Sequence, residues 1–166
     1  ADCFAMRQEL AAGEAELAKA AEALEPDMRH EEALLLLRRA GLAYIADRDP
    51  DEVEEDLRRS LALYVELGDL KGEGSVSDLL GVVRAQQGDY GTAIQLLERA
   101  VEIARSLGEP AHEVGINLAW AYLEVGRFAD VVALCEPILA SSSRKFRRVY
   151  AGIYLINAYT RLGEYA

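Results

Sequence analysis

The side chains best suited to chemistry in this chain are few and widely separated. Its 166 residues contain two histidines, His30 and His112, and two cysteines, Cys3 and Cys135. Neither histidine stands at ligand spacing from carboxylates or cysteines, and no HExxH, CxxC, GxSxG or phosphate-binding glycine-rich motif occurs. The sequence therefore predicts no catalytic centre, no cofactor site and no metal site. Cys135 lies on an apolar helical stripe, which favours a reduced thiol that fills the core over a reactive one.

Two runs of charged residues are candidates for binding a metal ion or a nucleic acid. Residues 51–56 are rich in Asp and Glu, but they lack the DxDxDG pattern of a calcium loop and are interpreted as a solvated helix face. Residues 144–148 are basic, and a solvated helix start that pairs with nearby carboxylates is favoured over a nucleic-acid patch. The formal net charge of -11 would repel a nucleic-acid backbone or an anionic membrane, which excludes both as main partners.

The sequence carries no signal for a membrane or for secretion. Its longest uninterrupted apolar run is the five residues from Ala33 to Leu37, much shorter than a bilayer-spanning helix requires. The N-terminal region shows no secretory signal pattern. We predict a cytoplasmic protein.

The abundance of Ala, Leu, Glu and Arg favours helices over strands, because these residues lose little rotamer freedom in a helix. Residues 2–24 read as one amphipathic helix, which ends where Pro26 disfavours helical geometry. Residues 1–26 are interpreted as a capping helix or the second helix of a truncated repeat. Asp49 and Pro50 form a strong helix start. Pro137 lies inside another helical segment and predicts a kink or an early end near residues 133–140.

The other elements form a repeat, for which residues 74–107 are the model. Two helices are joined there by a turn at Gly88, with a small residue beside a large one in the first helix. Aligning the turns at Arg48, Gly88, Gly126 and Gly163 gives periods of 40, 38 and 37 residues. Such periods indicate a solenoid of stacked helix pairs. The predicted repeats are 29–69, 70–109, 110–143 and 144–166. The last stops where its second helix should begin, so we expect a piece of a longer protein.

These features resemble the tetratricopeptide repeat over about residues 30–166. The repeats are longer than typical and end in Leu67-Gly68-Asp69 and Leu107-Gly108-Glu109. That long form is similar to the helical arms of bacterial signal-transduction ATPases and maltose-regulator-like transcription activators, and related long repeats occur in kinesin light chains. The resemblance implies an all-α, right-handed superhelical solenoid of antiparallel helix pairs. Arg48 and Val131 depart from the glycine and the small residue of the pattern and predict looser packing.

In that family the first helices of the pairs line a concave groove, so the resemblance also implies a partner-binding surface. This surface lacks the clamp with which some of these repeats hold the terminal carboxylate of a chaperone peptide. Leu42 and Val82 stand where the clamp has asparagines, and Tyr150 and Tyr154 stand where it has basic residues. The residues expected to face the groove are Arg38, Leu42, Asp78, Val82, Gln86, Ile116, Asn117, Trp120, Asn157 and Arg161.

Trp120 has two interpretations. It is either an aromatic anchor for a peptide, with Asn117, Asn157 and Arg161 as polar contacts, or a residue packed between repeats. The function predicted from these observations is a non-catalytic interaction module, the sensor or scaffold arm of a larger bacterial signalling or transcription regulator. Its partner would be a protein, a peptide or another domain of the parent chain, and self-association is compatible with the fold. The alternatives are a helical accessory domain of a multidomain enzyme and base-by-base RNA binding, which the acidic charge disfavours.

Overall fold

A computed structural model of the chain describes residues 2–109 and 114–163, with side chains from residue 8 onward. Within these residues the structure contains eight helices and no strand, which confirms the all-α prediction. The helices are α1 (Asp2–Glu22), α2 (Arg29–Ile45), α3 (Pro50–Leu67), α4 (Leu70–Gln86), α5 (Tyr90–Ser106), α6 (Gly115–Glu124), α7 (Phe128–Ser141) and α8 (Lys145–Leu162).

The chain divides into two compact units, residues 1–83 and 84–166, with the boundary inside α4. In the first unit α2 packs against both α1 and α3. In the second unit α6 packs against α5, α7 and α8, and α7 also packs against α8.

The α2–α3 pair shows how the first unit holds its helices together. Ion pairs join Arg29, at the start of α2, to Glu66, at the end of α3, and Arg39 to Asp56, so the two helices run antiparallel. Between them the buried hydroxyl of Ser60 donates a hydrogen bond of 2.7 Å to the carbonyl oxygen of Ala33. The close approach thus satisfies a polar group that would otherwise be costly to bury.

The core of the second unit follows the stripes predicted from the sequence. Leu97 on α5 is 1% exposed, and Ala119 on α6 is completely buried. On α7 the residues Val131, Cys135 and Ile138 are completely buried as well. Between α6 and α7 large side chains pack against a small residue, because Leu134 and Ile138 lie 3.5 and 3.9 Å from the position that a Cβ on Gly115 would occupy.

Residues with a left-handed backbone conformation follow the first helices of the pairs. Gly88, Gly126 and Gly163 have φ of 83°, 78° and 74°, and each follows the first helix of a pair. After α2, however, the left-handed residue is Asp47 (φ 54°). Arg48 directly precedes a helix cap, as Gly88 does, but it does not have the left-handed backbone of Gly88. This turn thus has one more residue between its left-handed residue and its helix cap. Asp49 is that cap, and its carboxylate accepts a hydrogen bond from the backbone N–H of Asp51 at 2.9 Å.

Of the two outcomes predicted near residues 133–140, a kink or an early end, the early end is wrong, because α7 continues to Ser141; the kink stays a prediction. A proline costs a helix one backbone hydrogen bond. Here the helix is held by its neighbours, since Cys135 and Ile138 on either side of Pro137 are completely buried. Tertiary packing therefore outweighs the local penalty.

Candidate partner-binding surface

In the first unit the predicted groove residues differ in accessibility. Arg38 on α2 is exposed, whereas Leu42 is half-buried. Leu42 packs against α1, where its Cδ2 lies 3.2 Å from the position that a Cβ on Gly13 would occupy. Asp78 and Val82 on α4 are half-buried. Part of the Leu42 side chain is thus used to hold α1 and has less surface left for a partner.

In the second unit most of the predicted residues keep surface for a partner. Gln86, Asn157 and Arg161 are exposed, and Asn117 and Trp120 are half-buried. Ile116 differs, because it is only 8% exposed and can offer little contact area. Asn117 and Trp120 lie on α6, and Asn157 and Arg161 lie on α8, two helices that pack together.

The accessible residues of α6 share one side of the helix. Leu118, Ala119, Ala121 and Tyr122 are buried, whereas Asn117, Trp120 and Leu123 are half-buried and Glu124 is exposed. Spacings of three and four residues place side chains on the same face of a helix. Trp120 therefore lies in the middle of the only strip of α6 that solvent reaches within residues 115–124.

Sequence analysis missed a polar cluster that joins three helices of the second unit. The phenol of Tyr122 donates a hydrogen bond of 2.5 Å to Glu98 of α5. The guanidinium of Arg127 lies 3.9 Å from the centre of the Tyr122 ring and donates to Glu98 (3.4 Å) and Asp130 (2.7 Å). Burial, together with the bond to Glu98, raises the pKa of Tyr122 to about 12. The tyrosine is thus neutral at physiological pH and acts as a donor.

The same contact recurs one repeat later. Tyr159 of α8 donates a hydrogen bond of 2.8 Å to Glu136 of α7. The two tyrosines are 37 residues apart and the two glutamates 38, which matches the repeat period. In each case the first helix of a pair is tied to the second helix of the preceding pair. The shared period of tyrosine and glutamate was the signal that could have revealed these bonds.

The sequence predicts an isolated His30, but in the structure its ring contacts two other side chains. Its Nε2 lies 3.0 Å from a carboxylate oxygen of Asp69, and its ring contacts Tyr64 edge to face, with centroids 5.7 Å apart. Asp69 also accepts a hydrogen bond from the backbone N–H of Gly72 at 3.0 Å, which caps α4 and lowers the pKa of the Asp69 carboxyl. The cluster joins the starts of α2 and α4. His112 lies outside the described residues.

Cys135 has the properties predicted for a core thiol. It is completely buried, and burial raises its pKa to about 12, so the reactive thiolate is suppressed. Among residues 2–109 and 114–163, no group of three or more His, Cys, Asp or Glu side chains is arranged to hold a metal ion. In the same part of the chain, no helix is both long and apolar enough to cross a membrane.

Comparisons with known proteins agree on the fold. A family model described as tetratricopeptide repeat matches residues 75–136. A solved structure of a protein of Podosopora anserina, described as kinesin light chain-like with nearly identical TPR-like repeats, superposes with a TM-score of 0.71 at 19% identity. The match covers 95% of this chain and 79% of that one. A variant of that protein gives the same TM-score at 20% identity, over the same shares of both chains. No curated protein sequence matches significantly.

These matches confirm an all-α fold of TPR-like helical repeats. At such low identity the structural likeness concerns the fold alone. The finer likeness to the arms of bacterial signal-transduction ATPases and maltose-regulator-like activators has no counterpart among them and stays a prediction.

Proposed function

We propose that this chain is a non-catalytic protein-interaction module that binds a peptide or a helix of a protein partner along the first helices of its pairs. The observation that carries this proposal is the accessible strip of α6 with Trp120 at its middle. A half-buried tryptophan combines a fixed orientation with a free apolar surface, and such residues dominate the binding energy of many interfaces. The TPR-like fold supports the proposal, because helical solenoids present extended binding surfaces.

Polar residues near this strip would give the interaction its direction. Asn117 lies one helical turn before Trp120, and α8, which packs against α6, presents the exposed Asn157 and Arg161. Amide and guanidinium groups suit the carbonyl and carboxylate oxygens of a peptide. In the first unit, Arg38, Asp78 and Val82 would play the corresponding part, and Leu42 a smaller one.

On the resemblance of its long repeats, we assign the module to the sensor or scaffold arm of a larger bacterial signalling or transcription regulator in the cytoplasm. The partner would then be another protein or another domain of the parent chain. Nucleic acid and membranes are disfavoured as partners by the net charge of -11.

A displayed peptide library, selected against the full chain, tests the proposal. Binders are measured with the wild type, Trp120→Ala and the conservative Trp120→Phe. Loss of a central aromatic anchor often costs about 2 kcal/mol or more, so Trp120→Ala should weaken binding roughly thirtyfold or more. Trp120→Phe should retain part of the affinity, and circular dichroism should show unchanged helicity.

Two results would contradict the proposal. Unfolding of Trp120→Ala would show that the indole is needed by the core. Equal affinity of the selected peptides for wild type and Trp120→Ala would show that the strip on α6 is not the binding surface.

A further inference from the structure

An open cavity of about 360 Å³ lies in the first unit between α1, α2 and the start of α3. Leu17, Leu35 and Leu42 form apolar parts of its wall. Among its charged residues, Glu14 accepts a hydrogen bond of 2.8 Å from the guanidinium of Arg48. Apolar walls with a few polar groups are typical of a cavity that binds a small molecule or a side chain.

The second unit contains a corresponding cavity of about 330 Å³, between α5, α6 and α7. All four residues that α1 contributes to the first cavity correspond to the four that α5 contributes to the second, at a constant separation of 84 positions. The last residues of α1 and α5 are also 84 positions apart. The two helices therefore have equivalent places within their units, and Glu14 corresponds to Glu98.

The first helices of the two cavities are aligned by the left-handed residues that follow α2 and α6. Ala40 and Ala119, which are both completely buried, then become equivalent. The same alignment pairs Ala43 with Tyr122, and each of these two residues lines its cavity. Tyr44, the next residue of α2, does not line the cavity. A methyl group in the first unit thus stands where the second unit has a phenol ring.

The groups that hold this phenol ring in the second unit are nevertheless present in the first. Tyr122 donates to Glu98, and Arg127 lies over the tyrosine ring. The counterpart of Arg127 is Arg48, because each arginine directly follows the left-handed residue of its turn. Arg48 pairs with Glu14 at 2.8 Å as Arg127 pairs with Glu98 at 3.4 Å. The first unit therefore keeps the acceptor and the cation but lacks the ring.

We propose that the cavity of the first unit binds a phenol ring from outside the chain. The hydroxyl group of the ring donates a hydrogen bond to Glu14, the guanidinium of Arg48 lies over its face, and its apolar edge contacts Leu17 and Leu42. Burial of an aromatic ring and a cation over its face both favour binding.

This site is separate from the surface of the proposed function. Ala43 corresponds to Tyr122, which lies on the buried side of α6, whereas Trp120 lies on the accessible strip of that helix. The inference therefore goes beyond the proposed function, and neither of the two depends on the other.

The probe for this site is p-cresol, which is the tyrosine side chain as a free molecule. It is titrated into the isotope-labelled full chain, and binding is followed by the NMR chemical shifts of the backbone amides. Saturable shifts are expected around Glu14 and Ala43. Toluene, which lacks only the hydroxyl group, should bind at least about tenfold more weakly, because the hydrogen bond to a charged acceptor is lost.

Three variants locate the site. Ala43→Tyr supplies the missing ring from the chain itself, so it should abolish the binding of p-cresol. The matched control Ala62→Tyr adds the same side chain at an exposed position of α3 and should leave binding unchanged. Glu14→Ala, at an exposed residue of α1, should weaken the binding of p-cresol about tenfold and leave that of toluene unchanged. Circular dichroism confirms that the variants are folded.

A second ligand, N-acetyltyrosine amide, distinguishes the source of the phenol. If it binds at least as tightly as p-cresol, the site takes a tyrosine side chain of a protein partner, and weaker binding would assign the site to a free small phenol.

Three outcomes would overturn the inference. These are the absence of saturable shifts at the cavity, equal affinity for p-cresol and toluene, and binding of p-cresol that Ala43→Tyr and Glu14→Ala leave unchanged. Trp120→Ala should have no effect on p-cresol, so a failure of this inference leaves the test of the proposed function intact.

Discussion

Replacing Tyr122 by phenylalanine tests whether the repeated tyrosine–glutamate bond holds neighbouring helix pairs together. The substitution keeps the ring, which is 6% exposed, and removes only the hydroxyl that donates to Glu98 at 2.5 Å. Tyr159→Phe is the matched control, because its hydroxyl makes the corresponding bond to Glu136 at 2.8 Å between more exposed groups.

The structure sets the expected magnitudes. A hydrogen bond to a charged group contributes about 1.5–3 kcal/mol. Arg127 lies 3.4 Å from Glu98 in the wild type, and we expect it to compensate part of the carboxylate charge after the substitution. We therefore expect Tyr122→Phe to lower the free energy of unfolding by about 1.5 kcal/mol, at the low end of that range. The exposed bond of Tyr159 should be weaker, so Tyr159→Phe should cost less than about 1 kcal/mol.

Urea denaturation measures both changes, with an unchanged m-value as evidence that the transition is the same. A cost for Tyr122→Phe below about 0.5 kcal/mol, the size of ordinary surface changes, would refute the reasoning. So would a larger cost for Tyr159→Phe than for Tyr122→Phe.

The pH dependence gives an independent check on Tyr122. Its pKa is raised to about 12 in the folded chain, above the value of about 10 for an unfolded tyrosine. The unfolded state therefore releases this proton first, and the stability from the neutral phenol is complete below pH 10 and is lost between about pH 10 and 12. Tyr122→Phe should make the loss of stability over this range smaller than in the wild type.

Two further substitutions test the packing of each unit. Leu97→Ala should lower the free energy of unfolding by about 2–5 kcal/mol, because it empties a site that is 1% exposed. The exposed Gln95→Ala on the same helix should stay within about 0.5 kcal/mol in the same urea melts, and similar costs for the two would refute the burial of Leu97. Gly72→Ala should destabilise by about 1–3 kcal/mol, because the new methyl group would overlap the buried ring of Tyr64. A Cβ on Gly91 would meet only Asp89 Oδ1, at an ordinary contact distance of 3.8 Å, so Gly91→Ala should be neutral or stabilising by up to about 1 kcal/mol. Equal melting temperatures for both alanine variants would contradict the close packing at Gly72.

Much of the fold is determined by local features that the sequence displays. The glycines at 88, 126 and 163 end the first helices because they adopt a left-handed backbone with little strain. Asp49 and the proline after it start α3 through a cap that needs only adjacent residues. The stripe that contains Leu97 and the burial of Cys135 follow from the helical period, since one face of an amphipathic helix must be covered. These features suffice for the all-α repeat fold.

The tertiary structure alone decided which side chains meet. The continuation of α7 through Pro137 depends on neighbouring helices that make up for a lost hydrogen bond. Ile116 is buried and Ile153 is exposed although they occupy the same position in successive repeats, and the helices that carry them differ in their neighbours, since α6 packs against α5, α7 and α8 and α8 packs against α6 and α7. The bond from Tyr122 to Glu98 joins residues 24 positions apart, and the contact of His30 with Asp69 joins residues 39 apart. A repeat period predicts that such positions are equivalent, but the packing of helices brings their side chains within bonding distance.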